Sequence, residues 1–281
     1  MSSTTAPIDH LVWHTTKVDG RATAYGVAGE GAPLVFLHGW ALAHNTYRAA
    51  LRRLVGQNVK VYAPALPGFG GTAELPREEL TLGGYARWLD RFMAEVGVAA
   101  PATVVGHSFG GGVAIQTAHD WPQRVARLIL VNSIGGSDWS HRGGVVRSMR
   151  ERPWWDWGLH LQADMLSVRQ LTRVVPVILA DAVPNVLRGP RSVWRVAHLA
   201  RSADLTGQLE ELKRRRLPVV ILWGQQDTVV PRASIESLRA ALGDPQLITV
   251  PGNHTWLLAD PKGFGEIITN VICAADGRIR P

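Results

Sequence analysis

The sequence predicts an α/β fold: a mostly parallel, doubly wound sheet with a helical insertion between two of its central strands. Three observations predict it. Short apolar runs recur along the chain, segments of helical periodicity separate them, and residues 136–205 interrupt that alternation before it resumes.

In chain order, ATAYGVAG (22–29) reads as an antiparallel lead-in strand at the sheet edge. PLVFLHG (33–39), VKVYAPA (59–65), ATVVGHS (102–108), RLILVNS (127–133) and LPVVILWG (217–224) follow as central strands, with QLITVPG (246–252) as a sixth. They are rich in Val, Ile and Leu without alternation, as strands covered on both faces are. Helical spacing marks 44–55, 81–96, 110–121, 232–242 and 257–272. The interruption holds Trp139, Trp154, Trp155, Trp157 and Trp194, ten arginines and no lysine. Pro153, Pro176, Pro184 and Pro190 predict several short helices there. The expected organisation is therefore one core, residues 1–135 and 206–281, carrying an insertion at 136–205.

Composition bounds the function classes. The chain has 281 residues, 46% of them hydrophobic and 19% charged, enough for a large core and too ordered a composition for wholesale disorder. Its N-terminus lacks the basic-then-apolar layout of a secretory signal, no apolar run is long enough to span a bilayer, and Cys273 is the only cysteine. A soluble cytoplasmic protein is the expectation. The net charge of +7 is spread out; its densest run, Lys213-Arg214-Arg215-Arg216, suits a solvated helix end, so no nucleic-acid partner is expected. Oligomeric state is not legible.

The chemistry is carried by VVGHSFGGG (104–112). Ser108 stands where an apolar strand ends and a helix begins, the sheet edge at which sites gather in α/β folds. A sharp turn there strains the central residue and crowds its neighbours, and Gly106 and Gly110 remove the side chains that would collide. No lysine follows as a P-loop requires, and the spacing is not G-x-G-x-x-G. A serine hydroxyl needs a base, itself oriented by an acid. His254 follows the QLITVPG strand and Asp227 the LPVVILWG strand, both reaching the same edge; Asp138, after RLILVNS, is the rival acid. His107 points away from the nucleophile and is structural. The oxyanion formed by attack on a carbonyl needs amide donors, which Phe109 and Trp40 are placed to supply, with His38 bracing the Trp40 loop.

Together HGW (38–40), LPGFGGT (66–72), GHSFGG (106–111), GQQDTVVP (224–231) and GNH (252–254) resemble the α/β-hydrolase fold family over essentially the whole chain. The resemblance implies a Ser108–Asp227–His254 triad, a cap domain at 136–205 and no cofactor. Subfamilies with an aspartate nucleophile are disfavoured by Ser108, and the HGGPG and HGGG patterns are absent. Asn253 stands where relatives often place a small residue. The implied activity is serine hydrolysis of a carboxylic ester of a small or medium, apolar acyl group, with one or more of Trp154, Trp155 and Trp157 lining the substrate pocket. A carbon–carbon bond hydrolase of the meta-cleavage type and a hydrolase-fold ligand receptor are the alternatives.

Overall fold

The computed structural model describes residues 11–137, 172 and 174–275. Eight strands form one sheet in the order β1-β2-β4-β3-β5-β6-β7-β8. They are β1 (Val12–Val18), β2 (Arg21–Ala28), β3 (Ala32–Leu37), β4 (Val59–Pro64), β5 (Ala102–His107), β6 (Val125–Val131), β7 (Val219–Gly224) and β8 (Gln246–Val250). The β1–β2 and β2–β4 pairs are antiparallel and the rest parallel. The helices described are α1 (Arg48–Leu51), α2 (Leu82–Glu95), α3 (Phe109–Asp120), α4 (Val175–Arg188), α5 (Pro190–Arg201), α6 (Thr206–Arg214), α7 (Arg232–Ala241), α8 (Trp256–Ala259) and α9 (Pro261–Ala275). Among the described residues no helix is long and apolar enough to cross a membrane.

The unbroken apolar runs are explained by two cores, one on each face. Val35, Leu37, Val104 and Leu128 point to the side covered by α2, α3, α5, α6 and α7. Leu34, Phe36, Val105 and Ile129 point to the side covered by α1, α8 and α9. Successive strand residues thus serve opposite cores, as the two-residue pleat requires.

Three departures from the sequence expectation have physical causes. The lead-in strand is antiparallel but not the edge, because β1 lies outside it; β1 is mostly exposed and polar, so it lacks an apolar run. Its signal is the Asp19-Gly20 pair, both at positive φ, which closes a two-residue hairpin onto β2. The helix expected at 44–55 is a 3₁₀ turn (His44–Tyr47) followed by the short α1, and the chain then continues through tight Arg53-to-Ala50 and Leu54-to-Leu51 bonds. Finally, Pro176 and Pro190 stand at helix starts, whereas Pro184 lies inside α4. The basic run closes α6, where Arg214 and Arg215 pair with Glu211.

Between β6 and α6, α5 packs Val193, Val196 and Ala200 into the core beside α3. Gly135 and Asp204 form an isolated parallel bridge, and the Leu205 amide donates to the Gly135 carbonyl (3.2 Å).

Candidate active site

Ser108 is the turn between β5 and α3, with φ 53° and ψ −118°, a conformation costly for any residue but glycine. Its surroundings over-determine it. The Ser108 amide donates to Val131 (3.0 Å) and its carbonyl accepts from Gly111 (2.9 Å). The flanking glycines permit close backbone approach. A Cβ at Gly106 would lie 2.5 Å from the Gly110 carbonyl oxygen, and one at Gly110 would lie 2.4 Å from that of Leu37 and 2.6 Å from that of His38. The start of α3 therefore sits directly on the end of β3, bringing Ser108 beside the loop that carries Trp40.

Asp227 and His254 meet at the same edge. The β7 and β8 loops are locked together: the Gln226 amide donates to Gly252 (2.9 Å), and the Gly252 amide to the Gln226 side chain (2.7 Å). His254 donates from Nδ1 to Asp227 Oδ2 (2.9 Å), a bond that in the neutral ring puts the lone pair on Nε2. The same Oδ2 accepts from the Asn132 side-chain amide, and Oδ1 accepts the Val229 and Val230 amides (both 2.8 Å). Asn132 in turn accepts from the Trp256 indole (2.9 Å). Buried and surrounded by donors, the carboxylate is held as an acceptor in one orientation. Asn253 shapes the loop as a small cap: its Oδ1 accepts from the Thr255 amide (3.1 Å).

A second, neutral chain of bonds runs beneath Ser108. His107 donates from Nε2 to the His254 carbonyl (2.9 Å), so its Nδ1 accepts the Tyr47 hydroxyl (2.8 Å), which itself accepts from the Gly39 amide (3.1 Å). The His254 loop and the loop after β3 are thereby both tied to the residue preceding Ser108. His38 does the same for the next loop, donating to the Gly39 carbonyl (2.8 Å) and accepting from the Leu66 amide (2.8 Å). Burial pushes both histidines down to about 3, so each stays neutral at ordinary pH. His44 is likewise pushed down to about 4 by burial, and its Nδ1 has no partner.

Phe109 opens α3, so its amide is among the first-turn donors that lack an intrahelical acceptor and lie at the positive end of the helix. Trp40 and Ser108 line one narrow cleft with Ile134, Val229, Val230 and Arg201; its volume, ≈ 10 Å³, is about that of one water site. The Trp40 indole donates to the Val193 carbonyl of α5 (2.8 Å). Asp138, Trp139, Trp154, Trp155 and Trp157 lie outside the described residues, while Trp194 is half exposed on α5. Among the described residues no group of three or more His, Cys, Asp or Glu side chains converges as a metal site would require.

Asn132 and Asn185 are structural partners of this region that the sequence does not single out. Asn132 leaves one signal, a polar residue closing the apolar run of β6 at the edge where Ser108 sits. Asn185 lies one helical turn after Asp181 in an α4 that is otherwise apolar up to Arg188.

Comparison with known proteins follows the same outline. A model of the alpha/beta hydrolase family matches residues 34–267. An uncharacterized protein of Mycobacterium tuberculosis is 28% identical over 279 residues, covering 89% of this chain and 78% of its own. A bromoperoxidase from Bacillus anthracis superposes with TM-score 0.77 at 18% identity, covering 93% of this chain and 99% of that one. A thermophilic esterase from Thermogutta terrifontis gives 0.73 at 22% identity, covering 93% and 97%. At such identities the two structures speak for the fold.

Proposed function

The chain belongs to the alpha/beta hydrolase family, and on that premise we propose that it is a serine hydrolase cleaving a carboxylic ester or related acyl bond through an acyl-enzyme. The observation that carries the reading is the double tether of His254: its Nδ1 bonds Asp227 (2.9 Å) while its carbonyl bonds His107, the residue before Ser108 (2.9 Å). The tether to the residue before Ser108, and the use of Nδ1 on Asp227, support the reading of His254 Nε2 as the general base.

Ser108 attacks the substrate carbonyl as His254 Nε2 takes its proton. The oxyanion is held by the Trp40 and Phe109 amides. Collapse expels the alcohol, which leaves with the proton returned by His254. Water then attacks the acyl-enzyme through the same base and frees the acid. Asp227 fixes the tautomer and stabilises the imidazolium, and no cofactor enters. Residues 136–205, including α4 and α5, act as a cap, and Trp154, Trp155 and Trp157 supply apolar wall to a small or medium acyl substrate.

The test is turnover of a p-nitrophenyl ester. Ser108→Ala is expected to fold normally and to lose roughly 10⁴-fold or more. A fluorophosphonate labels wild type at Ser108 and leaves that variant unlabelled; labelling elsewhere overturns the assignment. Asp227→Asn, which keeps the shape but permits the wrong tautomer, is expected to cost about 10⁴-fold, and Asp138→Asn less than about tenfold. Absence of turnover on any ester, with the site still binding a ligand, would make the chain a receptor.

A further inference from the structure

We propose that Asn185, on α4, is a positioning residue that sets the loop carrying the Trp40 amide, so that docking of α4 and formation of the oxyanion site are one event. The inference rests on the reading of Trp40 as an oxyanion donor.

Helix α4 is amphipathic in the reverse of the usual sense. Leu179, Val183, Val186 and Leu187 are exposed, and Asn185 is its only buried residue, at 3% exposure. Every hydrogen bond of that side chain is spent on two core loops. Nδ2 donates to the Ala41 carbonyl (2.9 Å), with a longer contact to that of Leu42 (3.5 Å), and Oδ1 accepts from the Gly70 amide (3.0 Å). One turn earlier on the same face, Asp181 accepts from the Thr46 amide (2.9 Å) and the Thr46 hydroxyl. Helix α4 therefore grips the segment from Ala41 to Thr46 at both ends.

That segment needs a grip. Ala41, next to Trp40, has φ 60°, a left-handed conformation that a residue with a Cβ holds only when its neighbours fix it. Gly70, the other partner, sits at φ 54° with no room for a Cβ against Ala43 and Ala65. An oxyanion donor works only when aimed in advance at the charge that develops, and small misplacement removes most of its effect. Asn185 supplies that aim from outside the core. Apart from Ile178, which packs against the second core, the contacts of this face are polar, and water can replace such bonds. The structure thus couples the state of the helix above the site to the donor geometry within it.

The experiment measures p-nitrophenyl ester kinetics, melting temperature and inhibition by an arylboronic acid, which forms a tetrahedral adduct at the serine. Asn185→Ala is expected to lower kcat roughly tenfold or more, to change KM less than about twofold, and to weaken the boronic acid in parallel with kcat. A lowered melting temperature with kcat, KM and inhibition unchanged overturns the proposal. Asn185→Asp keeps shape and the acceptor for Gly70 but loses the donor to Ala41. Its kcat relative to wild type is expected to be low at pH 8 and to recover as pH falls, because the protonated carboxyl donates again. Should Asn185→Ala fail to fold, this ratio decides, and a flat ratio overturns the proposal. Ser108→Ala separates the two levels. If it retains turnover, the reading of the site fails; if it loses turnover while both Asn185 variants match wild type, only the role of Asn185 fails.

Discussion

Helices α3 and α4 both bear on the loop after β3, by opposite chemistry. Helix α3 has no Asp, Glu, Lys or Arg before its last residue and buries most of its length, with Gly110 seated on the carbonyls of Leu37 and His38. Helix α4 buries a single side chain, and that one is polar. The first contact is set by shape, which has no partial state: a methyl fits or the backbone moves. The second is set by hydrogen bonds, which exchange with water at little net cost. The two contacts thus differ in how they give way: one by steric clash, the other by exchange of hydrogen bonds.

The largest effect that would break this contrast is on the α3 side. Gly110→Ala puts a methyl against main chain at 2.4 Å, which no side-chain rotation relieves. It is expected to destabilise by about 3 kcal/mol or more and to lose activity with it, read by chemical denaturation. A variant of wild-type stability would mean that this backbone contact does not fix α3.

A smaller effect comes from the buried histidines. Burial holds His38 and His107 at about 3 and His44 at about 4 in the folded chain. The unfolded chain takes up these protons near 6.5, about the ordinary histidine value. Below that value the unfolded state binds more protons, so stability is full above it and falls as pH drops toward the folded values. Each group contributes up to about 2 kcal/mol of loss between pH 7 and pH 5. The melting temperature is expected to fall over that range, and His107→Gln to show a shallower slope than wild type. Equal slopes would remove His107 from the neutral chain beneath Ser108.

The smallest effect belongs to the outer face of α4. Leu187 is 77% exposed, and Leu187→Gln is expected to shift stability by less than about 0.5 kcal/mol in thermal melts. A larger loss would show that α4 is held by apolar packing after all.

The same division explains what the sequence discloses. Ser108, Asp227 and His254 are legible because each follows an apolar strand, and parallel strands deliver their ends to one edge. The α3 glycines are legible because close packing leaves a compositional mark. Asn132, Asn185 and β1 are not. An asparagine that bonds main chain across 144 positions, as Asn185 does with Ala41, looks locally like any polar residue on a helix. Strand β1 is exposed on most positions, so it leaves no apolar run, and the Asp19-Gly20 turn is its only mark. Pro184 misleads for a related reason: a proline stops a helix in the core more surely than in one whose flank faces solvent.

The bridge between Gly135 and Asp204 joins two points 69 positions apart in the chain. Because the core itself brings the two ends together, the entropy of closing that loop is already met by contacts belonging to the sheet. A change of length between these two points is therefore expected to leave the register of β6 with β7 unchanged. What any such replacement would have to restore is the donor to the carbonyl of Ala41.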